Sequence, residues 1–519
     1  MTGITIALVA SSNDQSNSFS INGNAPVVRS KGAYMSAIKA FRGLKLVTLV
    51  MGVWHGGLMA APDTHWFEQF KAEASDADLY TFLYAMPKGG DLHHHITGTA
   101  LSEWWYELAL KQREHGYRYY TKVTINNCNG YGGNEFSFSP YLLHFHNVLE
   151  SSYNKLSDCE KSEYKRLEQL NAVEKQAWLN SIRLDAAHEG RDEFFQTHWQ
   201  RLDELMRSPY LIADILVKNM QAFGAEGLIY MESMMGASGY TDPNGKPISP
   251  DTVADIYRDR LQQPDAKATG VTVRMQESIL RFAGNAEDQL RHYFDFVSRN
   301  NDLYLAVNMV GREDNDKGHP LRFKDTLREL RRHYNNVKLS IHAGEVDEPN
   351  FHIRDTLLLG ADRIGHGVNL IDDDELLRQL RYGPYLIEIN LISNLLLEYI
   401  ERYDQHPFPE YLRLGVPVAL STDDRGMWDS NITDEFFVAV KEFNLSWDEL
   451  KQLSHNSLAY SFIDADSKAR LVERLNQRLA DFENAVEDNQ KAALKDVKPV
   501  SYSFICKQYQ LCQFGSASR

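Results

Sequence analysis

The stretch VKLSIHAGE, residues 337–345, is an apolar run of strand length that ends on a histidine, two small residues and a glutamate. The same format recurs on both sides of it. GLIYMESMM (227–235), VTVRMQESI (271–279), LYLAVNMVG (303–311), RIGHGVNL (363–370), YLIEINLIS (385–393) and PVALSTDD (417–424) are runs of this kind, and GGDLHHH (89–95) supplies one more at the front. Between them lie stretches such as FKDTLRELRRHY (323–334) and DDELLRQLRY (373–382), whose apolar residues fall at helical spacing. Eight strand–helix alternations predict an α/β protein, a (β/α)8 TIM barrel with a long insertion after the first strand and a helical C-terminal extension.

Working outward, the barrel is expected over 89–465, with an insertion at about 115–160 rich in Tyr, Asn and Gly. Residues 62–88 read as an N-terminal helical segment, and 466–519 as a helical segment with a β-coloured tail, VSYSFICKQYQLCQF. Ahead of the barrel, Lys39, Arg42 and Lys45 precede the apolar run LVTLVMGVWHGGLMAA, and 35–61 reads as a secretory signal peptide. On that reading translation begins at Met35, and 1–34 is a polar extension ahead of the true start. The alternative is a buried core helix; at about 16 residues the run is too short for a stable membrane span.

The chain has 519 residues, 43% of them hydrophobic, a formal net charge of -16 and a pI near 5.6. That balance excludes a binder of nucleic-acid backbone, which needs a basic face, and fits a small-molecule partner. Four cysteines fall as Cys128/Cys159 and Cys506/Cys512. In an exported chain an even count permits two disulfides, and four free thiols is the other reading.

The polar residues sit where a barrel concentrates chemistry, at the C-terminal ends of its strands. His93 and His95 end the first strand, and their spacing of two turns both to one side. His342 ends the fifth and Asp423 the eighth. Three imidazoles and a carboxylate suit one Zn²⁺ per chain with room for a water. His366, at the end of the sixth strand, can orient that water or take its proton. Glu345 can donate a proton to a substrate atom that gains electron density, and Asp424 can hold a second substrate nitrogen. His94, His144, His146, His188 and His198 receive no role. The set fits hydrolytic loss of ammonia from an aromatic amine.

Taken in order, MPKGGDLHHH, SIHAGEVDEP, RIGHGVNL, EINLISN and GVPVALSTDD resemble the motifs of the adenosine deaminase family over about residues 82–465. The Pro-Lys-Gly-Gly lead-in, the insertion, VGRED and the signal segment look most like its secreted growth-factor branch. The resemblance implies zinc on His93, His95, His342 and Asp423. It implies Glu345 as proton donor to purine N1, His366 as the water-activating base and Asp424 at N7. It implies a disulfide Cys128–Cys159 in the insertion, a homodimer through the N-terminal helical segment and a purine nucleoside substrate, adenosine and 2′-deoxyadenosine. The Cys506–Cys512 pair is the second expected bridge. Ile96 and Thr97 stand where the family places a ribose-binding Asp. Ala306-Val307-Asn308 stands for a Gly-x-Asp whose Gly offers its backbone N–H to the purine, a contact Ala306 can still make. Asn390-Leu391 replaces Cys-Pro, and Arg425 a Pro.

Two rivals stand against an adenosine deaminase. One is a deaminase of another 6-aminopurine, or a different mononuclear amidohydrolase. A binuclear centre commonly uses a Lys on the fourth strand, and 303–311 has none. Deaminases with a C-x-x-C zinc signature are excluded by its absence. The other rival is a secreted adenosine-binding or signalling protein with little turnover.

Overall fold

The computed structural model describes residues 65–128, 142–186, 188–313, 316–346 and 350–514. The expected signal peptide and the extension before it lie outside the described residues. Among the described residues, eight parallel strands follow one another around the barrel: β1 (Gly90–Asp91), β2 (Tyr230–Met234), β3 (Thr272–Leu280), β4 (Tyr304–Val310), β5 (Lys338–Ala343), β6 (Arg363–His366), β7 (Leu386–Ile389) and β8 (Val418–Leu420). Each pairs in parallel with its sequence neighbour, the order of a (β/α)8 barrel. The alternation expected from the sequence is present strand for strand.

Closure takes place at β1. Its regular ladder is two residues long, but the chain continues into bridges that tie His95 to Met234 at the end of β2 and His94 to Asp423 beyond β8. The Asp423 N–H donates to the His93 carbonyl at 3.0 Å, and the Met234 N–H to the His94 carbonyl at 2.9 Å. Asp91 braces this seam: one carboxylate oxygen accepts from the Thr422 N–H (3.1 Å) and hydroxyl (2.6 Å), the other from the His93 N–H (3.1 Å). The lead-in glycines are there for room. A Cβ on Gly89 would overlap the Ser454 carbonyl of helix Trp447–Ala459.

The helices form because their apolar residues share one face. In helix Lys324–His333, Thr326, Leu327 and Leu330 are buried while the arginines face out. Helix Pro209–Ala225 starts on Ser208, whose hydroxyl accepts from the Leu211 N–H, with Pro209 at the first turn. The N-terminal segment forms helices His65–Glu73 and Asp76–Ala85, the second opened by a capping box at Ser75. Lys88 closes this end. It is buried, and its ammonium donates to the carbonyls of Leu83 (2.5 Å) and Glu226 (2.7 Å) at the ends of two helices.

The insertion folds as an antiparallel sheet of Tyr119–Lys122 between Asn147–Leu149 and Tyr164–Arg166, with Cys128 bonded to Cys159. It reaches Arg166, past the expected limit near 160, because the third strand is needed to cover the central one. The tail departs from its β colouring. Ser503–Tyr509 is a helix with Phe504 and Ile505 buried, and Cys506 is bonded to Cys512 just after it. Burial of these two adjacent apolar residues against the body of the protein overrides β propensity there. Among the described residues no helix is long and apolar enough to cross a membrane.

Candidate active site

The C-terminal strand ends bring together the residues expected to bind a metal. One nitrogen each from His93, His95 and His342 and one oxygen of Asp423 lie within 4.8 Å of one another. His95 Nε2 is 3.3 Å from Asp423 Oδ1 and 3.3 Å from His342 Nε2, while His93 Nε2 is 3.6 Å from the same Asp423 oxygen. Among the described residues, the buried His93 Nε2 has no hydrogen-bond partner. Lone pairs facing one another around a carboxylate are what a cation would satisfy, so the residues fit a zinc-type ion.

The outer faces of His93, His342 and Asp423 are also engaged. His93 Nδ1 meets Glu388 Oε2 at 2.6 Å, His342 Nδ1 meets Asn308 Oδ1 at 3.0 Å, and Ser393 Oγ donates to Asp423 Oδ2 at 2.6 Å. These partners are linked beneath the site. Arg363 Nε donates to Glu388 (2.6 Å) and its Nη2 to Glu232 (2.7 Å); Gln276 donates to Glu232 (3.1 Å) and Asn308 to Gln276 (3.0 Å). A chain of buried polar groups thus joins one ligand histidine to another and fixes ring orientation and tautomer. Sequence reading missed Glu388, Glu232 and Gln276. Their signal was a charged or amide residue at an inward-facing position within an apolar strand.

Charge is distributed unevenly around the cluster. Burial opposes a proton on His93, yet Asp423 and Glu388 outweigh it and lift its pKa to about 10; the site calls for positive charge here. Burial raises Asp423, but His93 and His95 prevail and hold it well below the usual carboxylate range. Burial and then the charge of Asp423 push Glu345 and Asp424 well above that range. Neighbouring buried carboxyls are thus driven apart in acidity, Asp423 favouring the charged form and Glu345 and Asp424 the neutral one. Glu313 fixes the Glu345 turn, accepting from the N–H groups of Gly344 (3.1 Å) and Glu345 (2.9 Å), with His352 Nδ1 at 2.8 Å.

His366 stands 3.7 Å from Glu345 through Nε2, and burial lowers its pKa to about 3. Its tautomer follows from a distant backbone group. The Phe408 N–H donates to His406 Nδ1 (3.1 Å), so His406 carries its proton on Nε2 and gives it to Asn394 Oδ1 (3.0 Å). The Asn394 amide nitrogen then faces His366 Nδ1 at 3.0 Å and donates to it. The proton of neutral His366 accordingly lies on Nε2, toward Glu345.

The expectation for Ala306 is corrected. Ala306 is buried in the ladder of β4, opposite Gln276 and Lys338, the first residue of β5, and so lies toward the strands' N-terminal ends. The cavity end of β4 is Val310, and the glycine that follows it, Gly311 at φ +96°, lines the cavity. Ile96 and Thr97 do line the cavity, with Phe194, Phe195 and Trp199 from the segment after the insertion. Gly98 lies under Asp424: a Cβ there would overlap Asp424 Oδ1. His94 turns away from the cluster and meets Asp91 Oδ1 at 3.1 Å.

A parallel eight-stranded barrel with three imidazoles and one carboxylate at its C-terminal mouth defines a hydrolase of the metal-dependent amidohydrolase class. The adenosine deaminase family profile matches residues 165–478, and the chain belongs to that family. By class it is a hydrolytic deaminase. The N6-methyl-AMP deaminase-L of Xenopus laevis is 26% identical over 257 residues, 49% of this chain and 72% of that protein. The adenosine deaminase of Enterococcus faecalis is 34% identical over 142 residues, 27% of this chain and 42% of that enzyme. An amidohydrolase from Burkholderia ambifaria with bound Zn superposes with a TM-score of 0.56 at 19% identity, covering 80% of this chain and 96% of that one. The last likeness concerns the fold.

Proposed function

We propose that the protein deaminates adenosine, and 2′-deoxyadenosine, to inosine and ammonia, holding one zinc on His93, His95, His342 and Asp423. The observation that carries this reading is that Glu345 and Asp424, both carboxyls pushed well above the usual range by burial and Asp423, line one cavity with the ligand cluster. A 6-aminopurine set with C6 at the cluster presents N1 to one and N7 to the other, and both nitrogens are acceptors. Zinc bound there supplies a water acidified to near neutral pH. Glu345 gives its proton to N1 as oxygen adds to C6. His366 donates from Nε2 and holds the attacking oxygen in line, so of its two expected roles the tautomer favours orientation over proton abstraction. Asp424 donates to N7. The first hydrogen of the water replaces the one Glu345 gave up, and the second leaves with the amine as ammonia.

The test is turnover of adenosine, deoxyadenosine and other 6-aminopurines with metal analysis on the same sample. Zinc-loaded protein inert on all of them would sink the reading. Ile96 and Thr97 in place of an acid favour a second possibility, another 6-aminopurine as the best substrate, and the same panel ranks it. The reading includes export, supported by two disulfides. Secreted protein whose intact mass begins after about residue 61 would bear it out; retention of the full chain inside the cell would refute it.

A further inference from the structure

The cavity is larger than a 6-aminopurine needs. Its volume of about 1440 Å³ exceeds the roughly 300–1,000 Å³ of ordinary small-molecule sites. With N1 at Glu345 and N7 at Asp424, N9 is on the purine edge farthest from the metal ligands, so its substituent projects into the remaining space. Ile96 and Thr97 beyond β1, Gly236 and Ser238 beyond β2 and Glu277 on β3 form part of the wall there. These strand ends are close neighbours: His95 bridges Met234, and the Met235 N–H donates to the Gln276 carbonyl at 3.0 Å.

Glu277 is fully buried, yet it belongs to this wall. Its Oε1 accepts from the Ala237 N–H at 2.8 Å. Its Oε2 has no hydrogen-bond partner among the described residues, and it lies 2.9 Å from where a Cβ of Gly236 would stand. A buried carboxyl oxygen left unpaired is costly, which marks it as an acceptor awaiting a donor. Burial lifts the acid to about 8, so at neutral pH it is uncharged and also carries a hydroxyl. Tyr240 and Tyr293, the latter bonded to Ser238, line the same part of the cavity. On the β4 side, Arg312 pairs with Asp192 (2.6 Å) and Arg322 with Glu287 (2.6 Å), so both guanidiniums are already matched by carboxylates.

We infer that Glu277, flanked by Ser238, Tyr240 and Tyr293, forms a subsite for an uncharged, hydroxyl-bearing substituent on the purine, a sugar rather than a sugar phosphate. The inference rests on the purine reading above and gives sugar recognition to β3, where Ile96 and Thr97 provide no carboxylate. Zinc-loaded wild type, Glu277→Leu and Glu277→Gln are titrated calorimetrically with inosine, hypoxanthine and inosine monophosphate, none of which carries a 6-amino group to lose. Glu277→Leu is expected to weaken inosine about tenfold, the loss of roughly one hydrogen bond, and to leave hypoxanthine within about twofold. Glu277→Gln, which keeps a polar group on the cavity, is expected to stay within about threefold of wild type. Equal weakening of both ligands, no weakening of inosine, or a wild type that prefers the monophosphate would each overturn the subsite. Adenosine turnover is read separately. Discrimination against inosine in Glu277→Leu, with no deamination by wild type, would support the subsite and sink only the proposed reaction.

Discussion

Gly98 shows how one missing side chain sets the site. Gly98→Ala is expected to push Asp424 off the substrate and cut kcat/KM by roughly tenfold or more, the worth of a hydrogen bond in a dry site, with metal content unchanged in the same preparation. Glu345→Gln keeps shape and removes the transferable proton, so kcat is expected to fall by about 10²–10⁴ with zinc retained; undiminished turnover would remove Glu345 from the chemistry. Glu388→Gln acts one step back. It weakens the hold on His93 Nδ1 and should lower metal affinity by about 10–100-fold in a chelator competition. These positions differ in how readable they were. His93, His95, His342, Glu345, His366, Asp423 and Asp424 stood out because strand ends carry chemistry in a barrel, and all seven line or flank one cluster. Ala306 was misplaced because a strand's register cannot be counted from its sequence alone. Glu388, Glu232 and Gln276 showed only as polar residues within apolar strands; their roles were hidden because their partners come from strands far away in the chain.

At the scale of elements, Lys88 ties the ends of two helices, and burial lowers its pKa from 10.5 to about 7. The unfolded chain therefore binds the extra proton between those values, and stability rises with pH across that window. Relative to Lys88→Met, which does not titrate, wild type is expected to gain stability from pH 7 toward pH 10.5; denaturant midpoints of the pair at several pH values measure it. The insertion is the second case. A disulfide between residues 31 apart cross-links the segment after its central strand to the one before its last strand. Loss of that bridge in a Cys128→Ser/Cys159→Ser variant is expected to cost about 2–4 kcal/mol in the local unfolding of this sheet, seen as faster hydrogen exchange at 119–122. The barrel strands were legible because each run is apolar and bounded by helical spacing. The tail was not, since Phe504 and Ile505 owe their helix to the surface they cover.

For the whole molecule, the proposed metal ligands and the barrel closure are one feature. Chelation should therefore lower the melting temperature as well as abolish turnover, in proportion to metal affinity. A chelated protein that melts unchanged would separate the two. The seam also has a consequence for biosynthesis. The two sides that meet there, near residues 93–95 and 423, emerge from the ribosome a whole barrel's length apart. At about 5–20 residues per second, the first strand waits on the order of tens of seconds for its partner. Through that interval β2 can pair with one edge of the strand, while the edge that meets 423 stays open. Helices 65–73 and 76–85, made just before it, would be the first surface to shelter it, and the histidines could capture their ion only once translation is nearly done.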